Sequence, residues 1–144
     1  MSDINCLSPN DMIPDNKLAL LSVRSQRLCE LTRYNYKDYK VEIIVSNTSE
    51  NPLPSELYIN VDEQHKESNP FLTIERTPVR LAQQYLEPGY QCGVLVAIKC
   101  KRSIEVSPNS EKKMHIPICL YSLHDGPISN VIPLFIKVKT SIQI

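Results

Sequence analysis

Apolar residues recur at every second position along much of this chain, in short runs broken by proline, asparagine and glycine, and that period constrains the fold most. Tyr39, Val41, Ile43 and Val45 alternate with Lys40, Glu42, Ile44 and Ser46. Leu57, Ile59 and Val61 alternate with Tyr58, Asn60 and Asp62. Successive side chains of an extended strand point to opposite faces, so each run predicts a strand with one buried side. Between them, Ser46 to Ser55 carries Asn47, Asn51, Pro52 and Pro54, residues that favour turns through fixed φ or side-chain to backbone hydrogen bonds.

The same reading extends along the chain. Phe71 to Ile74 predicts a short strand, and Arg80 to Glu87 fits either a helical turn or another short strand. Pro88-Gly89 is a turn signal, and Gly93 to Lys101 is the longest apolar run and the expected central strand. Met114 to Leu123 and Val131 to Thr140 are the closing strands, joined by His124-Asp125-Gly126-Pro127. Pro117 and Pro133 cannot donate to a ladder and belong at a strand start, an edge or a bulge. Lys17 to Leu31 is ambiguous. Leu18, Leu21, Arg24, Leu28 and Leu31 fit one helical face, while Leu18 to Val23 and Arg27 to Leu31 fit two strands. The β character of the rest favours strands. About seven or eight strands, with no long amphipathic helix to cover a parallel sheet, predict an all-β, immunoglobulin-like antiparallel sandwich over residues 17–144, preceded by a polar arm at 1–16. Its inner faces should include Val41, Ile43, Val45, Leu57, Ile59, Val61, Val94, Val96, Ile98, Ile118, Leu120, Leu134, Ile136 and Val138.

Composition narrows the chemistry. Lys plus Arg and Asp plus Glu are equal at 16 each among 144 residues, so no basic excess argues for nucleic acid or anionic lipid. No apolar stretch reaches the roughly 18–20 residues of a membrane-spanning helix. Met1 to Asn16 has no apolar core of the kind a secretory signal needs, which favours a cytoplasmic protein. The three glycines, Gly89, Gly93 and Gly126, cannot build a phosphate loop or a dinucleotide fingerprint, and no Gly-x-Ser-x-Gly elbow occurs. Cys6, Cys29, Cys92, Cys100 and Cys119 show no metal-like spacing, and His65, His115 and His124 do not cluster with them. Buried or half-buried thiols in a reducing compartment are the expectation. Asn47-Thr48-Ser49 matches a glycosylation sequon, a weak pattern without a secretory route. No catalytic residue, cofactor or metal is predicted.

Two polar features remain. Lys99, Lys101 and Arg102, with Lys112 and Lys113 beyond a loop, are the one local basic concentration. Lys99 and Lys101 share a strand face and could form a stripe meeting an acidic peptide or phosphate, or simply a solvated face. Tyr34, Tyr36 and Tyr39 interleave with Arg33, Lys37 and Lys40, and Tyr34 and Tyr36 would be in phase on one strand.

From Tyr39 to Thr140 the order of phrases resembles the PapD-like immunoglobulin fold of the major-sperm-protein and ASPM/SPD-2/Hydin superfamily. The phrases are Asn47 through Pro52 ("N-x-S/T-x-x-P"), Phe71 to Ile74, Leu86-Glu87-Pro88-Gly89 before a long apolar strand, and the closing strands Ile116 to Leu123 and Val131 to Lys139. The basic surface motif of the endoplasmic-reticulum adaptor branch is not recognisable, so that branch's peptide preference is not implied. The resemblance implies a cytosolic, non-enzymatic binding or scaffolding domain of a centrosomal, ciliary or trafficking assembly, with another protein or short peptide as partner. Alternatives are an adaptor-appendage module that captures short motifs, a small viral jelly-roll structural protein, and a nucleic-acid-binding sandwich.

Overall fold

A computed structural model describes residues 17–24, 29–37, 39–54, 56–67 and 69–140. The proposed arm at 1–16, together with Cys6, lies outside them. The strands are β1 (Ala19–Val23), β2 (Cys29–Leu31), β3 (Lys40–Asn47), β4 (Leu57–Val61), β5 (Leu72–Ile74), β6 (Thr77–Pro78), β7 (Gln91–Cys100), β8 (Glu111–Ser122), β9 (Gly126–Pro127) and β10 (Ile132–Lys139). Among the described residues there is no α-helix, and one 3-10 turn spans Glu63–His65. The described parts of Lys17 to Leu31 therefore follow the strand alternative. Arg80 to Glu87 follows neither alternative: it is a run of bends in which Leu86 bridges to Leu53.

One sheet has the order β1-β3-β7-β5 and is antiparallel throughout. The other runs β2-β10-β8-β4-β6, with β9 folded back on β8 and a parallel pairing of β2 with β10. Their buried faces share one apolar cluster: Leu21, Ile43, Val45, Val96 and Ile98 from the first sheet, Ile59, Ile118, Leu120, Leu134 and Ile136 from the second. All the expected core positions are buried except Val41 and Val61, which are half-buried against the cluster. Ile104 joins it from an otherwise polar loop that gave no periodic signal.

Pro117 and Pro133 sit where their missing donors are harmless. They face each other across the β8–β10 ladder. The Pro117 carbonyl accepts from Asp62 N–H, so the backbone of Pro117 points toward β4 just where β4 ends. Pro133 points away from β8, at a stretch that β2, pairing only Ile136 to Val138, does not reach. Each is a local edge inside a long strand, where proline costs no ladder bond.

The Asn47 turn has a buried polar hub. Asn47 Nδ2 donates to the carbonyls of Asn51 (2.9 Å) and Leu86 (2.8 Å), while Oδ1 accepts from the N–H and the hydroxyl of Ser49. Asn47 N–H donates to Tyr90 O, and Gly89 N–H donates to Asn47 O. Gly89 has φ +80°, a conformation open to glycine without steric cost, and this lets the Leu86 to Tyr90 turn close on the end of β3. With only 2% of its surface exposed, the Asn47 side chain is spent on the fold, which removes the sequon from consideration in the folded chain. Asn47→Ala removes the donations to the Asn51 and Leu86 carbonyls, the latter still bonded by Leu53 N–H, together with the acceptor for Ser49, and should cost about 1–3 kcal/mol in urea-unfolding stability. A loss below a few tenths of a kcal/mol would show that water replaces the amide.

Candidate partner-binding edge

A sheet edge offers a row of free N–H and C=O groups unless something covers it. On β1, Ala19 N–H donates to Ile128 O (3.1 Å), and the Leu21 N–H and C=O are both taken by the Asn130 side chain. On β2, the Glu30 N–H meets the Tyr39 hydroxyl and its C=O meets Asn35 Nδ2. On β4, Leu57 O accepts from Val79 N–H, Ile59 pairs with Thr77, Val61 N–H bonds to the Asn60 side chain, and Val61 O accepts from the Tyr121 hydroxyl.

The β7 edge differs. Tyr90 O and Ile98 N–H are spent on β3, so even-numbered residues of this strand face β3 and odd-numbered ones face the β5 side. There, β5 covers only Ile98 to Cys100, and Glu75 N–H reaches Ala97 O before the chain crosses to pair β6 with β4. Gln91, Gly93 and Leu95 therefore present N–H and C=O groups with no partner among the described residues. All three residues are exposed, Leu95 at 61%. Beside this edge lies an open cleft of about 370 Å³, lined by Gly93, Val94 and Leu95 on one side and by Arg76, Thr77, Pro78 and Arg80 on the other, with Lys40 and Glu75. Gly93 lies under the Glu42 carboxylate, which a Cβ there would strike and which pairs with Arg24 (2.8 Å).

The cleft is mostly positive. Lys40 and Arg80 are exposed and have no ion pair among the described residues. Arg76 is held by stacking, its guanidinium 3.8 Å from the centre of the Tyr58 ring, which itself stacks on Tyr121 with centroids 5.4 Å apart. Cation–π contact and a planar guanidinium fix Arg76 better than solvent would, while leaving its in-plane N–H donors usable. Glu75 is the one acid of the cleft lining, and it sits 3.9 Å from Lys99.

The basic stripe expected from Lys99, Lys101 and Arg102 is split. Lys99 lies on the exposed face of β7 beside Glu75, and Lys101 and Arg102 lie in the bend beyond the strand. The Lys101 N–H donates to Phe71 O (2.6 Å), and Lys112 Nζ sits 4.6 Å over the Phe71 ring, so those two lysines approach one corner. Lys113 instead pairs across β10 with Lys137 in the other sheet. The tyrosine triplet is not a strand face: residues 33–37 form a turn, Tyr34 is 89% exposed, and Tyr36 and Tyr39 pack against the core.

Cysteine–histidine chemistry has no geometric support. His115 and Cys119 share the outer side of β8 four residues apart, with His115 exposed and Cys119 buried. Burial pushes the thiols of Cys29, Cys92, Cys100 and Cys119 up, away from the thiolate a nucleophile needs. His124 sits in the turn after β8 and pairs with Glu56 at 3.1 Å. Among the described residues no group of three or more His, Cys, Asp and Glu is placed to hold a metal ion, and no helix is long and apolar enough to cross a membrane.

The open edge was missed from sequence, yet a length mismatch hints at it. The apolar run Gly93 to Lys101 lies mostly in β7, a strand of ten residues, whereas its outer neighbour has three, with Pro78 close behind. No protein-family model matches this chain, and no curated protein matches its sequence.

The Tyr58–Tyr121 stack that holds Arg76 has a titration signature. Burial pushes the Tyr121 phenol up to about 12, against backbone hydrogen bonding from Glu63 N–H. A phenol held neutral in the fold adds stability that is complete below pH 10 and is lost as pH rises toward 12. The melting temperature of the wild type should therefore fall more steeply over pH 10–12 than that of Tyr121→Phe. Parallel curves would refute a buried neutral phenol.

Proposed function

We propose that this chain is a protein–protein interaction module built on an immunoglobulin-like sandwich, which captures an extended segment of a partner as an added strand on β7. The observation that carries the reading is the run of unpartnered backbone groups at Gln91, Gly93 and Leu95, beside edges on β1, β2 and β4 where several of the outward groups are taken. Strand addition draws its affinity from main-chain hydrogen bonds and its selectivity from alternate side chains. Strand order supports the fold part of the proposal. The sheet β1-β3-β7-β5 corresponds to the A-B-E-D order of immunoglobulin domains, and β10-β8-β4 to G-F-C, with β2 beside the last strand. The segment Leu72 to Pro78 leaves one sheet and joins the other, and that switch is what uncovers β7. The PapD-like resemblance adds cytosolic scaffolding, in a centrosomal, ciliary or trafficking assembly, as the setting.

Amide hydrogen exchange tests this on the free protein and on the complex. In the free chain, the amides of Gln91, Gly93 and Leu95 should exchange fast, and those of Cys92, Val94 and Val96, bonded to β3, slowly. Binding of an extended partner should protect the odd-numbered set. Leu95→Pro removes an outward donor and no β3 bond, so it should preserve folding and weaken binding at least tenfold, about 1.4 kcal/mol. Equal protection of both sets in the free protein, or binding indifferent to Leu95→Pro, would refute the edge as the site.

A further inference from the structure

We infer that the segment taken up by the β7 edge is acidic, an extended peptide carrying carboxylates that face Lys40, Arg76 and Arg80. This rests on the strand-addition reading and adds the chemistry of the partner. A strand laid beside Gln91 to Leu95 continues the line that β5 abandons at Glu75, so it lies in the cleft lined by these three cations. Its side chains alternate between the exposed face, beside Leu95 and Lys40, and the gap toward Val94, Thr77 and Pro78.

Three cations face one carboxylate in the lining, and Lys99 already sits beside that carboxylate. A neutral or basic strand would leave Lys40 and Arg80 unanswered and crowd their charge, whereas an acidic one completes pairs at both. Arg76, pre-oriented on Tyr58, can present its fork to a carboxylate with little further ordering. Main-chain pairing would set the register of such a peptide, and charge would select among strands that all pair equally well.

The test uses three synthetic dodecapeptides of alternating pattern, with Glu, Gln or Lys at every second position among Thr and Val, titrated onto the full chain by fluorescence anisotropy. The Glu peptide should bind about tenfold tighter than the Gln peptide in low salt, and the gap should shrink in high salt. The gap should close in Lys40→Gln/Arg80→Gln, which leaves the Gln peptide's affinity unchanged. N-methylation of alternate amides in the Glu peptide should abolish binding without any change to the protein. Equal affinity for the Glu and Gln peptides, with both lost on N-methylation, overturns the acidic preference and leaves strand addition standing. Binding that survives N-methylation in every register, or no binding of any peptide, overturns both. A fourth probe is a peptide of residues 1–16, which holds Asp3, Asp11 and Asp15 and no Lys or Arg. Should it bind more tightly than the Glu dodecapeptide, the edge belongs to the chain's own segment and the partner assignment falls.

Discussion

Satisfaction of the backbone's hydrogen-bonding groups is the constraint on which the rest of this structure depends. An all-β chain must find a partner for each N–H and C=O it buries and must decide what to do with those at its sheet margins. Here local devices close parts of the margins: Asn130 on β1, Tyr39 and Asn35 on β2, and Tyr121 and Val79 on β4. Pro117 and Pro133 stand where a neighbouring strand does not reach. Against that background, the uncovered stretch of β7 reads as a place left available.

Its availability follows from the path of the chain and not from any special residue. The segment after β5 turns away at Glu75 to pair with β4, and Pro78, which lacks an N–H, stands in that crossing. The crossing also brings Arg76 and Arg80 alongside the gap it creates. Backbone vacancy and positive charge thus arise from the same switch between sheets, which links the fold to the proposed recognition.

The neutral balance of the whole chain conceals this local charge. Sequence reading located the basic concentration at Lys99, Lys101 and Arg102, because those residues are close in the chain. Folding disperses them: Lys99 meets Glu75, while Lys101 and Arg102 enter a bend. The cations that line one cleft, Lys40 with Arg76 and Arg80, come from two separate segments and were not grouped by proximity in sequence. The tyrosines near residue 36 misled for a related reason. Their alternation imitated a strand, but the Asn35 side chain, bonded to Thr32 N–H and Glu30 O, ties that segment into a turn. A local polar bond outweighed the period.

What the sequence determined by itself is the long central strands and their buried sides. Alternation is a property of the extended backbone, so Ile43, Val45, Ile59, Val96, Leu120 and Ile136 announced their interior positions before any contact was known. The Asn47 and Pro88-Gly89 turns were legible for the same local reason. Only tertiary structure decided which strands lie side by side, where a short strand leaves a longer neighbour uncovered, and which charges meet there. Pairing joins residues far apart in the chain, and no local pattern records the partner that a backbone group will find, or will lack.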